Sequence, residues 1–223
     1  MRILFEDNHV LVAVKPPMVP TQADASGDAD MLGMVREYLR ETYHKPGNVY
    51  VGLLHRLDRP VGGVMVFAKT SKAASRLSRQ IREGGMQKEY LAVVHGLPPA
   101  EGRMEDFLLK DGTKNRVKVV REGIPGAKWA ALSFRREAAR RDRSLVRVFL
   151  ETGRPHQIRV QFASRGYPLL GDMRYGRGEG GGIALYSAGI GFAHPVSGER
   201  LFFASLPHGG FFREFSENAP ETE

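Results

Sequence analysis

The chain has 223 residues, with 33 Lys and Arg against 25 Asp and Glu for a formal net charge of +8, and 42% hydrophobic residues. A chain of this length buries about 70–75% of the surface its unfolded form exposes, so it needs no metal or disulfide staple; the absence of cysteine excludes disulfide scaffolds, Cys-ligated metal centres and thiol nucleophiles. The positive charge is carried by 24 Arg and 9 Lys, a bias that suits a phosphate-bearing polyanion and equally a basic surface kept for solubility.

The N-terminus, Met1 to Asp7, reads as the opening of a strand and lacks the apolar core of a signal peptide. No apolar run reaches the roughly 18–20 residues of a membrane span, so a cytoplasmic protein with no membrane partner is expected. Ile3–Glu6 and His9–Val14 read as strands joined by an Asp7-Asn8 turn. Lys15 to Pro20 is too proline-rich for helix or central strand. Thr21 to Asp30 reads as a polar surface loop, and Asp30 caps a helix with Leu32, Val35 and Leu39 inward. Val51–Leu54 and Val64–Ala68 are short apolar strands on either side of His55 to Gly63. Ser71 is expected to cap a second helix with Ala74, Leu77 and Ile81 inward, stopped by Gly84-Gly85.

Lys88–His95 reads as a strand with Tyr90, Ala92 and Val94 on one face. Asn115–Val120, Lys128–Arg135 and Ser144–Glu151 read as further strands. The turn between the last two, Arg135 to Arg143, holds five Arg against two acids. Pro155 suits the first turn of a third helix with Ile158 and Phe162 inward, Gly176–Gly182 reads as a mobile loop, and Ala184–Ala193 and Arg200–Ala204 return to strand. Strands follow strands more than they alternate with helices. The expected fold is therefore mixed α+β, a largely antiparallel bent sheet with flanking helices and loops. Residues 1–216 are read as one domain and 217–223 as a frayed tail.

Two motif spellings fail on context. Gly176 to Gly181 spells a dinucleotide fingerprint, but no strand precedes it and no capped helix follows. His55-Arg56-Leu57-Asp58 superficially matches a protein kinase catalytic loop, but the spacing is off by one and no Gly-rich phosphate loop precedes it. Asp58, beside Arg56 and Arg59, reads on its own as an acid capping a turn. Glu151 to Arg159 is dense in hydrogen-bonding side chains. His156 and Arg159 share a helix face, and Arg154 is placed at the helix start, where backbone N–H groups favour an anion.

Five segments in order resemble the RluA-type pseudouridine synthase family. They are Ile3–Val14 with Lys15-Pro16; Leu54-His55-Arg56-Leu57-Asp58-Arg59 through Gly63 with Ala68-Lys69; Lys88-Glu89-Tyr90-Leu91-Ala92; Thr152-Gly153-Arg154-Pro155-His156-Gln157-Ile158-Arg159-Val160; and Gly166 to Asp172 with Tyr175-Gly176. The second and fourth are highly specific in this order, and together the five span nearly the whole chain. The chain departs from the family at Gly62, where Ser or Thr is usual, and at Pro155, where Thr is frequent.

The resemblance implies an enzyme that isomerises uridine to pseudouridine in structured ribosomal or transfer RNA, with no cofactor and no metal. It implies Asp58 as nucleophile at C1′ or base at the 2′ position, Tyr90 stacked on the target uracil, and Arg159 holding Asp58 charged and oriented. The target base must be extruded from its stack, and Arg56 is expected to enter the gap. Arg59, Lys88, Arg154, His156 and the basic tip of Arg135, Arg136, Arg140, Arg141 and Arg143 are expected to bind RNA. A monomer without DNA as partner is expected. The competing reading is an RNA-binding or assembly factor whose catalysis has decayed, for which Gly62 is the hint.

Overall fold

The computed structural model describes residues 1–112 and 115–216; the tail expected at 217–223 lies outside them. Along the chain run β1 (Arg2–Glu6), β2 (Val10–Lys15), α1 (Met31–Thr42), β3 (Gly52–Leu53), β4 (Gly62–Ala68), α2 (Ser71–Arg82), β5 (Gln87–His95), β6 (Glu101–Asp111), β7 (Arg116–Val120), β8 (Lys128–Arg140), β9 (Arg143–Leu150), α3 (Gln157–Ser164), β10 (Leu185–Ala193), β11 (Arg200–Ala204) and a last helical turn, α4 (Arg213–Ser216). This is the mixed α+β class, with antiparallel ladders. The chain forms two compact units, Met1–Lys88 with Ser187–Leu206 and Glu89–Tyr186 with the segment from Pro207.

In the first unit, β1 and β2 form a hairpin whose turn is built by Asp7: its Oδ1 accepts from the backbone N–H of both His9 and Val10 at 2.7 Å. β2 pairs on its other edge with β4, Val12 opposite Val66 and Lys15 opposite Gly63. β3 pairs with the far end of β4, and β10 and β11 pair with each other. Val10, Val12, Val64, Val66, Ala68, Ile190 and Phe192 from the strands close one core with Ala73 and Leu77 of α2. Gly63, at φ +123°, has no room for a side chain, since a Cβ there would lie 2.2 Å from the carbonyl oxygen of Ser187.

The helix caps refine the sequence expectation. Asp30 does cap α1, accepting from Gly33 N–H at 3.0 Å, but the buried stripe is Met31, Val35 and Leu39, not one starting at Leu32. Thr70, not Ser71, caps α2 and accepts from Ala73 N–H at 3.1 Å. Gly84, at φ +74°, ends that helix as expected.

In the second unit, the ladder runs β5–β9–β8–β6–β7. β6 was not expected. Its alternation is masked because Asp106 points inward, where it accepts from the Gln161 amide at 2.7 Å and from Arg165 at 2.8 Å. α3 lies over Leu108, Val117 and Ala130 through Val160. It is buried on every side from Gln157 to Phe162. It starts at Gln157, not at Pro155, because His156 adopts a left-handed conformation (φ +51°) that turns the chain into the helix. The expected basic turn is also corrected: β8 runs to Arg140 and β9 starts at Arg143, so only Arg141 and Asp142 form the tip.

Candidate functional site

In the first unit the residues of interest gather around the loop from His55 to Gly62. His55 begins it. Its Nε2 accepts from Val66 N–H at 3.1 Å, so a side chain takes the place of a backbone carbonyl just beyond the end of the β3 ladder. Burial, then the nearby Lys88 charge, pushes the imidazole down to about 3. It is therefore neutral at any working pH and free to accept.

Two buried side chains then fix the backbone on either side of Asp58. Thr21 Oγ1 donates to Leu57 O at 2.9 Å and accepts from Leu57 N–H at 3.2 Å. Lys15, fully buried, donates from Nζ to Arg59 O at 3.1 Å, to Pro16 O at 3.0 Å and to Val19 O. Burial lowers the Lys15 pKa to about 8, against the pull of the Asp58 charge, which raises it; Arg59 lowers it further. Asp58 O accepts from Val61 N–H at 2.9 Å and closes the turn. Asp58 is half-buried.

The surroundings of Gly62 give its departure from the family a physical reading. A Cβ at position 62 would lie 3.1 Å from the Pro17 ring and 3.2 Å from Lys15 O. A side chain at 62 would therefore fit only if the Pro17 ring and Lys15 O gave way by a few tenths of an ångström.

The other first-unit residues named from the sequence differ in setting. Arg56 is exposed. Arg59 bonds with Asp24, Ser26 and Asp28. Lys88 is half-buried, and burial lowers its pKa.

In the second unit, Tyr90 on β5 is buried opposite Val148. Arg159 on α3 is buried as well. Its Nε donates to Asp172 Oδ2 at 2.8 Å and its Nη2 to Oδ1 at 2.7 Å. Asp172 also accepts from the backbone N–H of Arg174 at 2.9 Å and of Tyr175 at 3.1 Å. Burial alone would raise the Asp172 carboxyl, but Arg159 and the two N–H groups outweigh it and hold it below the usual carboxylate range.

Tyr175 joins the pieces of this cluster. Its ring lies under the Arg159 guanidinium at 5.3 Å, its hydroxyl lies 2.8 Å from His156 Nδ1, and that hydroxyl accepts from Val117 N–H at 2.7 Å. The segment before α3 is held by Gln157, whose Oε1 accepts from Thr152 Oγ1 at 2.8 Å and Arg154 N–H at 3.0 Å. Arg154 lies ahead of the helix, not in its first turn, and donates from Nε to Trp129 O at 2.8 Å.

The basic hairpin is less free than its composition implies. Arg135 and Arg147 share Glu137, Arg136 donates to Pro98 O at 2.9 Å, and Arg143 meets Glu214 at 3.3 Å. Arg140 ends β8, and Arg141 stands exposed at the tip with φ +53°.

Thus the second unit gathers Arg154, His156 and Arg159 around one helix start, and the arginines of the hairpin lie at the other end of β8 and β9. Asp172, Tyr175, Thr21 and Lys15 are the polar residues that sequence reasoning left without a role. Lys15 and Asp172 stood inside matched segments, but a buried carboxylate or ammonium leaves no mark on the sequence by itself. Among the described residues, no group of three His, Cys, Asp or Glu is placed to hold a metal, and no helix is long and apolar enough to cross a membrane.

Comparison with known proteins gives a consistent answer. The profile of a family described as RNA pseudouridylate synthase matches residues 9–164. The ribosomal large subunit pseudouridine synthase C of Buchnera aphidicola (subsp. Acyrthosiphon pisum) is 33% identical over 215 residues, which cover 90% of this chain and 65% of that protein. The synthase D of Zymomonas mobilis is 33% identical over 221 residues, covering 93% and 69%. This chain therefore spans about two thirds of the length of these curated relatives. In fold, it is similar to Human RNA Pseudouridylate Synthase Domain Containing 4, with a TM-score of 0.77, 20% identity, and 92% and 88% of the two chains covered. With more than half of its length matched and relatives at this identity, the chain belongs to the RNA pseudouridylate synthase family.

Proposed function

We propose that this chain converts uridine to pseudouridine in structured RNA, with its two units acting as one catalytic domain over residues 1–216. The observation that carries the reading is the setting of Asp58: a half-buried carboxylate on a family-matching loop whose backbone is locked immediately before it by Thr21 and immediately after it by Lys15. Fixed placement of a reacting group is what an isomerase gains most from its fold.

In this reading the target uridine leaves its stack at a cost of a few kcal/mol, and Arg56 fills the gap. Asp58 attacks C1′ or removes the 2′ hydrogen, and the N1–C1′ bond breaks. The uracil rotates, with Tyr90 stacked on its ring, and C5 bonds to C1′ as the Asp58–C1′ bond breaks or the 2′ hydrogen is returned. C5 then gives up its proton and N1 takes one. Atoms and electrons balance without oxidant, reductant or cofactor. The family resemblance gives Arg159 the role of keeping Asp58 charged and oriented, and Asp172 holds the Arg159 guanidinium by two hydrogen bonds. Arg154, His156, Lys88 and the hairpin arginines contact RNA phosphates, so affinity falls with salt. Ribosomal RNA is the first substrate to test, because the named relatives act on the large ribosomal subunit; transfer RNA is the second. The working protein is a monomer in the cytoplasm.

The test is tritium release from large-subunit ribosomal RNA transcribed with 5-³H-uridine. Wild type is expected to release tritium and Asp58→Ala to release none. Undiminished release by Asp58→Ala removes Asp58 from the mechanism, and RNA binding without any release by wild type favours the decayed binding factor.

A further inference from the structure

We infer that the Arg59 guanidinium is a docking site for a backbone phosphate of the RNA substrate, and that the loop of residues 22–30 covers it with an internal stand-in for that phosphate. The inference rests on the RNA-modifying reading above and adds to it a ligand for Arg59 and a competitor for that ligand.

The loop is closed at its base by Met31 N–H donating to Pro20 O at 2.8 Å and Leu32 N–H donating to Thr21 O at 3.1 Å. It is thus a compact surface loop with its ends together. Its polar side chains converge on one cation. Arg59 Nη1 meets Ser26 Oγ at 3.0 Å and Asp24 Oδ2 at 3.4 Å, and Nη2 meets Asp28 Oδ2. Two carboxylate oxygens and a hydroxyl oxygen around one planar fork approximate the oxygens a phosphate offers to arginine. Hydrogen bonds from Ser26, then the Arg59 charge, lower the Asp24 carboxyl. The Arg59 hydrogen bond, then Ser26, lowers that of Asp28.

The two sides of this contact are anchored unequally. Arg59 is adjacent to Asp58, and its carbonyl is held by buried Lys15 at 3.1 Å. The cation therefore projects from a fixed root. The side chains that cover it are solvated, with exposures of 37% for Arg59, 44% for Asp24 and 54% for Asp28. Ion pairs this exposed add little to stability and are easily exchanged. These two carboxylates stand beside the reacting loop of a chain whose net charge is +8. A strand whose phosphate reaches Arg59 displaces both acids from the guanidinium. A strand that cannot place a phosphate there must bind against them. The loop thereby selects for an RNA backbone that passes over residue 59 while a base sits at residue 58.

The experiment measures KM, kcat and filter-binding Kd on large-subunit ribosomal RNA transcribed with 5-³H-uridine, over a KCl series. It compares wild type, the double variant Asp24→Asn/Asp28→Asn, Arg59→Gln, and the triple variant. The double variant is expected to bind RNA about fivefold more tightly at low salt, with kcat unchanged. Its advantage should shrink as salt rises, because salt also screens the internal pair in wild type. In the Arg59→Gln background the Asn substitutions should change affinity by less than about 1.5-fold, the small residue left by long-range charge. An equal gain in both backgrounds, or no gain in either, overturns the inference and leaves the isomerase reading standing if wild type still releases tritium. Wild type that neither binds nor turns over the transcript overturns the isomerase reading, and the inference falls with it.

Discussion

Arg103 on β6 and Arg159 on α3 grip their carboxylates with the same fork. Arg103 donates from Nε and Nη2 to the two oxygens of Glu151 at 2.9 and 2.8 Å, and Arg159 does the same to Asp172 at 2.8 and 2.7 Å. The surroundings are opposite: side-chain exposures are 51% and 41% for the first pair, 8% and 0% for the second. Geometry alone would rank them as equals, but burial separates them. At the surface, water already solvates each charge and the fork adds little. Beneath α3, each charge has given up its water, so the two depend on each other. One fork decorates a sheet face, and the other sets the position of a residue the proposed chemistry needs.

The largest expected effect follows from breaking the buried fork. Asp172→Ala strands the Arg159 guanidinium and should remove about 3–5 kcal/mol of stability in urea unfolding. The apolar double variant Arg159→Met/Asp172→Leu should recover most of that loss and still release no tritium, which separates folding from function. A double variant as unstable as the single one would show that lost packing, not a stranded charge, governs this site.

Lys15 sharpens the comparison as a buried cation bonded to carbonyls. Its pKa is lowered from 10.5 to about 8, chiefly by burial. Between these values the native state binds fewer protons than the unfolded chain, so its contribution to stability rises with pH, by on the order of 3 kcal/mol in all. The penalty is fully present below about pH 8. From pH 7 to 10.5 the unfolding free energy of wild type minus that of Lys15→Met should shift in favour of wild type as pH rises; parallel curves would refute a desolvated ammonium.

Thr21 is the uncharged counterpart. Thr21→Val keeps the shape but leaves both polar groups of Leu57 unpartnered, which should cost about 2 kcal/mol and lower kcat more than it raises KM. The smallest effect belongs to the exposed fork. Glu151→Gln should cost under about 1 kcal/mol, and 1 M KCl should abolish the difference.

The same contrast explains what could be read from the sequence. β1, β2, β4 and β5 were legible because apolar residues run or alternate along them, and the Asp58 loop because its spelling is rare. β6 was hidden because a half-buried Asp106 breaks its alternation, and the true start of α3 because a left-handed His156 takes the place of an ordinary cap. The five-arginine segment was misread as a turn because composition does not report that Glu137 and Glu214 neutralise part of it within a ladder. Thr21 gains its role from Leu57, 36 residues along the chain, and no local pattern encodes that.

The tight approach of Gly62 to Pro17 bears on how this lineage can vary. A side chain added at position 62 would press on the Pro17 ring, which must then give by a few tenths of an ångström, so Gly62→Ser should fit more easily beside a smaller residue at position 17 than beside proline.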